Sequence, residues 1–106
     1  MTLAQEFEHV EAFDITQCFV DMASARAKEL QVANLKTYQD DATVMKNSGD
    51  DFSLVLGCNL IDRLPDPKKW IDLTKTKVSK DGIIIVCDPY TWLEDYTPKS
   101  KWLGGF

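Results

Sequence analysis

Apolar residues recur along this chain at two periods, and the changes between those periods lay out its elements. Leu3 and Phe7 fall on one face of a short helical segment over Thr2 to Glu8. Val10-Glu11-Ala12-Phe13-Asp14 alternates apolar and polar, which predicts a short strand stopped by Asp14. From Gln17 to Leu30, the residues Phe19, Met22, Ala23, Arg26, Ala27 and Leu30 recur at helical spacing, predicting an amphipathic helix with Thr16 as N-cap. Asn34 marks a turn, and Leu35 to Gln39 is a strand candidate running into Asp40-Asp41-Ala42. Lys46 to Asp51 is a polar loop. Phe52 to Cys58 is the next strand, buried by its composition. Asp66 as N-cap and Pro67 at the first helical position open a helix to about Val78, with Trp70, Ile71, Leu73, Thr74 and Val78 facing inward. Ser79-Lys80-Asp81-Gly82 predicts a turn, Gly82 being suited to a left-handed conformation. The β-branched run Ile83-Ile84-Ile85-Val86 that follows predicts a strand buried on both faces.

Strands alternating with helices predict an α/β fold, and right-handed crossovers make its sheet mainly parallel. In such sheets ligands sit beyond the carboxyl ends of the strands. The polar, aromatic stretch after Cys87, from Asp88-Pro89-Tyr90-Thr91-Trp92 to Trp102-Leu103-Gly104-Gly105-Phe106, therefore lies where the chemistry of the fold belongs. No internal repeat or linker divides the 106 residues, so a single domain over 1–106 is expected.

Composition narrows the function classes. A net charge of −5 argues against nucleic acid or an anionic membrane as partner. No apolar run approaches the ~20 residues needed to span a bilayer, and a cytoplasmic setting is expected. The 3 cysteines, Cys18, Cys58 and Cys87, form no C-x-x-C pair, and there is 1 histidine, His9, expected at the surface. Neither a metal site nor a disulfide framework is expected, and the cysteines read as small core residues of a reducing compartment.

Leu54-Val55-Leu56-Gly57-Cys58-Asn59-Leu60-Ile61-Asp62-Arg63-Leu64-Pro65-Asp66-Pro67, with Val78-Ser79-Lys80-Asp81-Gly82 before the isoleucine run, resembles the second half of a class I S-adenosylmethionine-dependent methyltransferase of Rossmann-like fold. Pro89-Tyr90-Thr91-Trp92-Leu93-Glu94-Asp95-Tyr96-Thr97-Pro98-Lys99 and the Trp102 to Phe106 ending are more specific. Together with Asn59 to Leu64 they resemble the 4-mercaptohistidine N1-methyltransferase family. That domain stands alone or at the carboxyl end of ovothiol-biosynthesis sulfoxide synthase chains.

The resemblance implies S-adenosyl-L-methionine as cofactor and the imidazole of a thiolated histidine as methyl acceptor. It places Asp14 on the ribose hydroxyls, Asp41 followed by Ala42 at the adenine amino group, and Asn59 at the methionine part or the acceptor. Tyr90 and Trp92, with Trp102, fall over the acceptor pocket, and no residue stands out as a catalytic base. Asp62-Arg63 reads as a local ion pair or loop anchor.

The family's glycine-rich loop after its first strand has no counterpart in these residues, nor have its later antiparallel strands. In the family's strand order, 3-2-1-4-5 then 7-6, that first strand is central. A partial domain is therefore expected, a fragment whose Val10–Asp14 and Phe52–Cys58 strands either pair directly or leave an unpaired edge. It implies weak cofactor binding by the isolated chain and, as partner, the remainder of a longer methyltransferase or sulfoxide synthase chain. Two other classes fit parts of the pattern. A nicotinamide-dependent oxidoreductase also ends a strand on a ribose-binding acid, and a non-catalytic binding module would keep the acceptor-side loops alone.

Overall fold

Two strand–helix–strand passages build the protein, and each makes a parallel pair. A computed structural model describes residues 2–104. The chain divides into two compact units, Met1–Ser48 and Gly49–Phe106.

In the first unit, helix α1 (Thr2–Glu6) precedes strand β1 (Val10–Asp14), helix α2 (Gln17–Glu29) and strand β2 (Leu35–Gln39). β1 and β2 are parallel and in continuous register from Val10↔Leu35 to Asp14↔Gln39. Phe13 and Tyr38 stack across that ladder with ring centroids 5.5 Å apart. The Asn34 side chain ties the start of β2 to α1 and the residue after it, donating to the carbonyls of Ala4 and Phe7 at 2.8 Å each.

α2 turns a different stripe inward from the expected one. Val20 and Ala27 are buried with Ala23 and Ser24 partly covered, whereas Phe19, Met22 and Leu30 are exposed. Two stripes compete along this helix, and the one with small side chains lets it approach a narrow two-stranded sheet closely. Thr16 occupies the N-cap position without a side-chain hydrogen bond.

In the second unit, strand β3 (Phe52–Cys58), a 3-10 turn (Ile61–Arg63), helix α3 (Pro67–Lys77) and strand β4 (Val78–Cys87) precede a second 3-10 turn (Lys99–Lys101). The Asp66 carboxylate accepts from the Lys69 amide, capping α3 as its sequence predicts. Trp70 and Thr74 are fully buried on the inner face of α3. Gly57 is there because of Trp70: a Cβ at Gly57 would stand 2.6 Å from the indole Cη2.

β4 corrects one expectation. Val78 already pairs with Phe52, and the next paired residues are Leu54 and Ile83, so Ser79 to Gly82 form an excursion within the strand rather than a turn before it. Gly82 serves close approach, not a left-handed backbone, since a Cβ there would meet Val78 Cγ2 at 2.5 Å and the Phe52 carbonyl oxygen at 2.9 Å.

Each unit holds one two-stranded sheet, β1-β2 in the first and β3-β4 in the second. The second correction follows from the β3-β4 sheet. Strand alternation puts Val55, Gly57, Ile84 and Val86 on the side of α3, and Leu54, Leu56, Cys58, Ile83, Ile85 and Cys87 on the other. On that second side Ile83 is 61% exposed, and Leu56, Ile85 and both cysteines are exposed as well. Cys18 is also exposed, on α2, so none of the three cysteines is a core residue.

Candidate functional site

In the first unit, β1 and β2 end side by side on acids. Asp14 pairs with Gln39 in register, and the Asp40 amide donates to the Asp14 carbonyl at 3.1 Å. Asp14 is exposed; its Oδ1 accepts from the Thr16 amide at 2.9 Å, which shapes the entry to α2. The two neighbouring acids after β2 divide their work. Asp40 is buried and holds the following loop, its Oδ1 accepting from the Asp41 and Lys46 amides and its Oδ2 from Asn47. Asp41 is half-buried, and its Oδ1 accepts from both the amide and the hydroxyl of Thr43, at 2.8 and 2.7 Å. Ala42 beside it is buried. The loop-organising role of Asp40 was not foreseen; two adjacent acids carry no signal as to which is buried.

The Tyr38 hydroxyl is held above the ordinary tyrosine range. Burial is the larger cause, followed by the charge of Glu11 and the hydrogen bond donated to Glu11 Oε1 at 3.2 Å.

In the second unit, the carboxyl ends of β3 and β4 each lead into a left-handed residue. Asn59 has φ 51° and Tyr90 φ 60°, both left-handed. Gln31, Met45 and Asp51 share that conformation elsewhere in the chain, so it marks tight turns here and does not by itself mark a site. Asn59 donates its amide to the Cys87 carbonyl at 2.7 Å, and Asp88 Oδ1 accepts from the Tyr90 amide at 2.6 Å.

Just beyond lies a cavity of about 490 Å³, lined by Ile61, Asp88, Tyr90, Thr91, Trp92, Trp102, Leu103 and Gly104. The three aromatic residues singled out in the sequence thus meet around one space. The two indoles stack with centroids 6.0 Å apart and planes 13° from parallel. Trp92 Nε1 donates to the Gly104 carbonyl at 2.9 Å and Trp102 Nε1 to the Thr97 carbonyl at 3.0 Å. Lys99 Nζ lies 5.8 Å from the Trp102 ring centre. Tyr90 lines the cavity's outer edge and is 95% exposed.

Thr97 latches this aromatic segment. It is fully buried, and its hydroxyl is within donating distance of the carbonyls of Asp62, at 3.2 Å, and Leu64. A lone threonine thirty-five residues from its partner leaves no pattern to read. Asp62 is 3% exposed and its Oδ1 has no hydrogen-bond partner, and among the described residues no ion pair joins it to Arg63. Its main chain, through Thr97, is the loop anchor. Asp88 also went unnoticed as a lining residue, although its place immediately after β4 is the signal that finds it. Gly105 and Phe106 lie outside the described residues.

Among the described residues, no group of three or more His, Cys, Asp or Glu side chains could hold a metal ion, and no helix is long and apolar enough to cross a membrane.

Residues 1–102 match the family described as "Methyltransferase domain". No curated protein matches the chain. Among solved structures, the YcgJ protein from Bacillus subtilis superposes with a TM-score of 0.74 at 23% sequence identity, over 79% of this chain and 36% of that one. The chain therefore spans about a third of the length of that structure and shares its fold.

Proposed function

Because the chain belongs to the methyltransferase-domain family, we propose that it carries part of an S-adenosylmethionine-dependent N-methyltransferase site whose acceptor is the imidazole of a thiolated histidine. The observation that carries this reading is the cavity beyond β4, where Tyr90, Trp92 and Trp102 meet. Its volume suits one amino-acid-sized molecule. Flat aromatic walls suit an imidazole, and they also favour a neighbouring cation.

The residues present fit parts of the cofactor. In the first unit, Asp14 stands exposed at the end of β1 with only its Oδ1 engaged among the described residues, which leaves Oδ2 to accept from a ribose hydroxyl. Asp41 is an acceptor for an adenine amino group, with the buried Ala42 beside it. In the second unit, Asn59 presents an exposed amide side chain from a left-handed turn at the end of β3, fitted to a polar methionine moiety or to the acceptor. When bound, the cofactor supplies an already electrophilic methyl group. The chain's residues are left with binding and orientation, because a neutral imidazole has a free lone pair and needs no strong base. No catalytic residue is assigned. A cytoplasmic setting and the remainder of a longer methyltransferase or sulfoxide synthase chain as partner belong to the same reading.

Calorimetric titration of the 106-residue chain tests it. The reading expects saturable heat with the thiolated histidine and weaker than micromolar binding of S-adenosylhomocysteine, because these residues include no glycine-rich loop. A nicotinamide dinucleotide that binds more tightly than S-adenosylhomocysteine would overturn it in favour of an oxidoreductase. Acceptor binding with no cofactor response, persisting after a strand and glycine loop are added upstream, would leave a non-catalytic binding module.

A further inference from the structure

Cys58 and Cys87 are the last residues of β3 and β4 and are direct register partners in a parallel ladder. Both are exposed. Parallel partners point their side chains to the same face, here the one that α3 does not cover. Neighbouring strands stand about 4.7–4.9 Å apart, inside the roughly 4.4–6.8 Å span of Cα atoms that a disulfide bridges. The geometry points to a reversible redox site: Cys58 and Cys87 form a cross-strand disulfide when the chain meets a small-molecule disulfide such as oxidised glutathione.

The step balances as thiol–disulfide exchange. One cysteine thiolate attacks a sulfur of the glutathione disulfide, breaking its S–S bond and releasing a glutathione thiolate. The second cysteine thiolate then displaces glutathione from the mixed disulfide and forms the Sγ–Sγ bond. Two protons leave the protein thiols, and two electrons pass to the glutathione pair.

Reversibility follows from the strand geometry. Parallel partners hold their Cβ atoms at about strand spacing, wider than the ~3.8 Å mean of relaxed disulfides, and strained bonds are the more easily reduced. Such a bond is compatible with a reducing compartment in a way that a structural disulfide is not. The pair also adjoins Asn59, whose amide donates to the Cys87 carbonyl, so the crosslink would stiffen the turn that presents Asn59. Partial desolvation at the strand end, and then the neighbouring Cys87 thiol and its hydrogen bond, hold the Cys58 thiol above the ordinary range, which slows attack by Cys58 at neutral pH and quickens it as pH rises.

The test is intact-mass and peptide-mapping mass spectrometry of the full chain after incubation with oxidised glutathione, followed by dithiothreitol. The expected product has lost two hydrogens, contains a Cys58–Cys87 crosslinked peptide and reverts on reduction. Cys18→Ser behaves identically, whereas Cys58→Ser and Cys87→Ser yield only a glutathione adduct. Glutathione adducts on both Cys58 and Cys87 of the unsubstituted chain, without crosslink, would overturn the proposal. A second probe does not depend on the variants folding: phenylarsine oxide, which bridges paired thiols, should bind one per chain and protect Cys58 and Cys87 together from maleimide. Protection of neither overturns the proposal too. Neither readout involves cofactor or acceptor, so the result is independent of the methyltransferase reading.

Discussion

Replacing Thr97 by valine removes one hydroxyl and leaves the shape nearly intact, which isolates the latch on the aromatic segment. The hydroxyl is fully buried between the carbonyls of Asp62 and Leu64. Valine leaves both without that donor, in a place water does not reach. Leaving a buried polar group unsatisfied costs about 1–3 kcal/mol, a fall of roughly 5- to 150-fold in the folded-to-unfolded ratio. Because the Thr97 carbonyl also receives the Trp102 indole N–H, the loss is transmitted to the Trp92–Trp102 stack. Urea unfolding followed by tryptophan fluorescence reads the first effect, and near-ultraviolet circular dichroism of the stacked indoles reads the second. Serine, which restores the hydroxyl but not the methyl, should recover much of the dichroic signal. A valine variant with unchanged stability would refute the latch. Lost stability with an unchanged dichroic signal would show that Thr97 supports the fold without shaping the cavity.

Gly57→Ala should destabilise the second unit by about 1–3 kcal/mol, because a rigid Trp70 ring occupies the space and overpacking displaces it; an unchanged urea midpoint contradicts this. Asp62→Asn should leave stability equal or higher, since it replaces a buried carboxylate with an unpartnered oxygen by a neutral side chain of the same shape; a lower midpoint contradicts this. Tyr38 should titrate late among the 3 tyrosines when tyrosinate absorbance is followed against pH, and Glu11→Gln should bring it earlier. Its folded value lies above the unfolded one, so its contribution to stability is complete below the ordinary tyrosine range. That contribution is lost as pH rises toward the folded value. Asp41→Ala should alter adenine recognition only in a chain with a first strand and glycine loop restored upstream, an equal effect without them removing the assignment.

The elements were legible because each carried its own local signal. Asp66-Pro67 marks the start of α3, alternation marks β1, and β-branched density marks β4. Layering was not local. Which stripe of α2 faces inward depends on how closely β1 and β2 let a helix approach, and the chain offers both Phe19, Met22 and Leu30 and the smaller set Val20, Ala23 and Ala27. The cysteines were misjudged for a related reason. Composition predicts burial on both faces of β4, but α3 covers only one, and Cys58 and Cys87 fall on the other. The excursion at Ser79 to Gly82 resembled a turn because a strand that breaks register uses the same polar and glycine residues as one that ends. That Tyr90, Trp92 and Trp102 gather around one cavity was readable, since aromatics in a polar tail fit no core stripe. Asp40 and Thr97 were not, because their partners are backbone groups chosen by the tertiary fold.

The proposed function stands or falls on whether the cavity of Tyr90, Trp92 and Trp102 receives a thiolated histidine. Intrinsic tryptophan fluorescence, titrated with 4-mercaptohistidine and with histidine as control, reads this binding at the indoles themselves. A saturable change is expected with the thiolated compound, weaker with histidine, and lost in a Trp92→Ala chain that keeps its far-ultraviolet circular dichroism. No saturable change in the unsubstituted chain, or the same change in the folded Trp92→Ala chain, would contradict it.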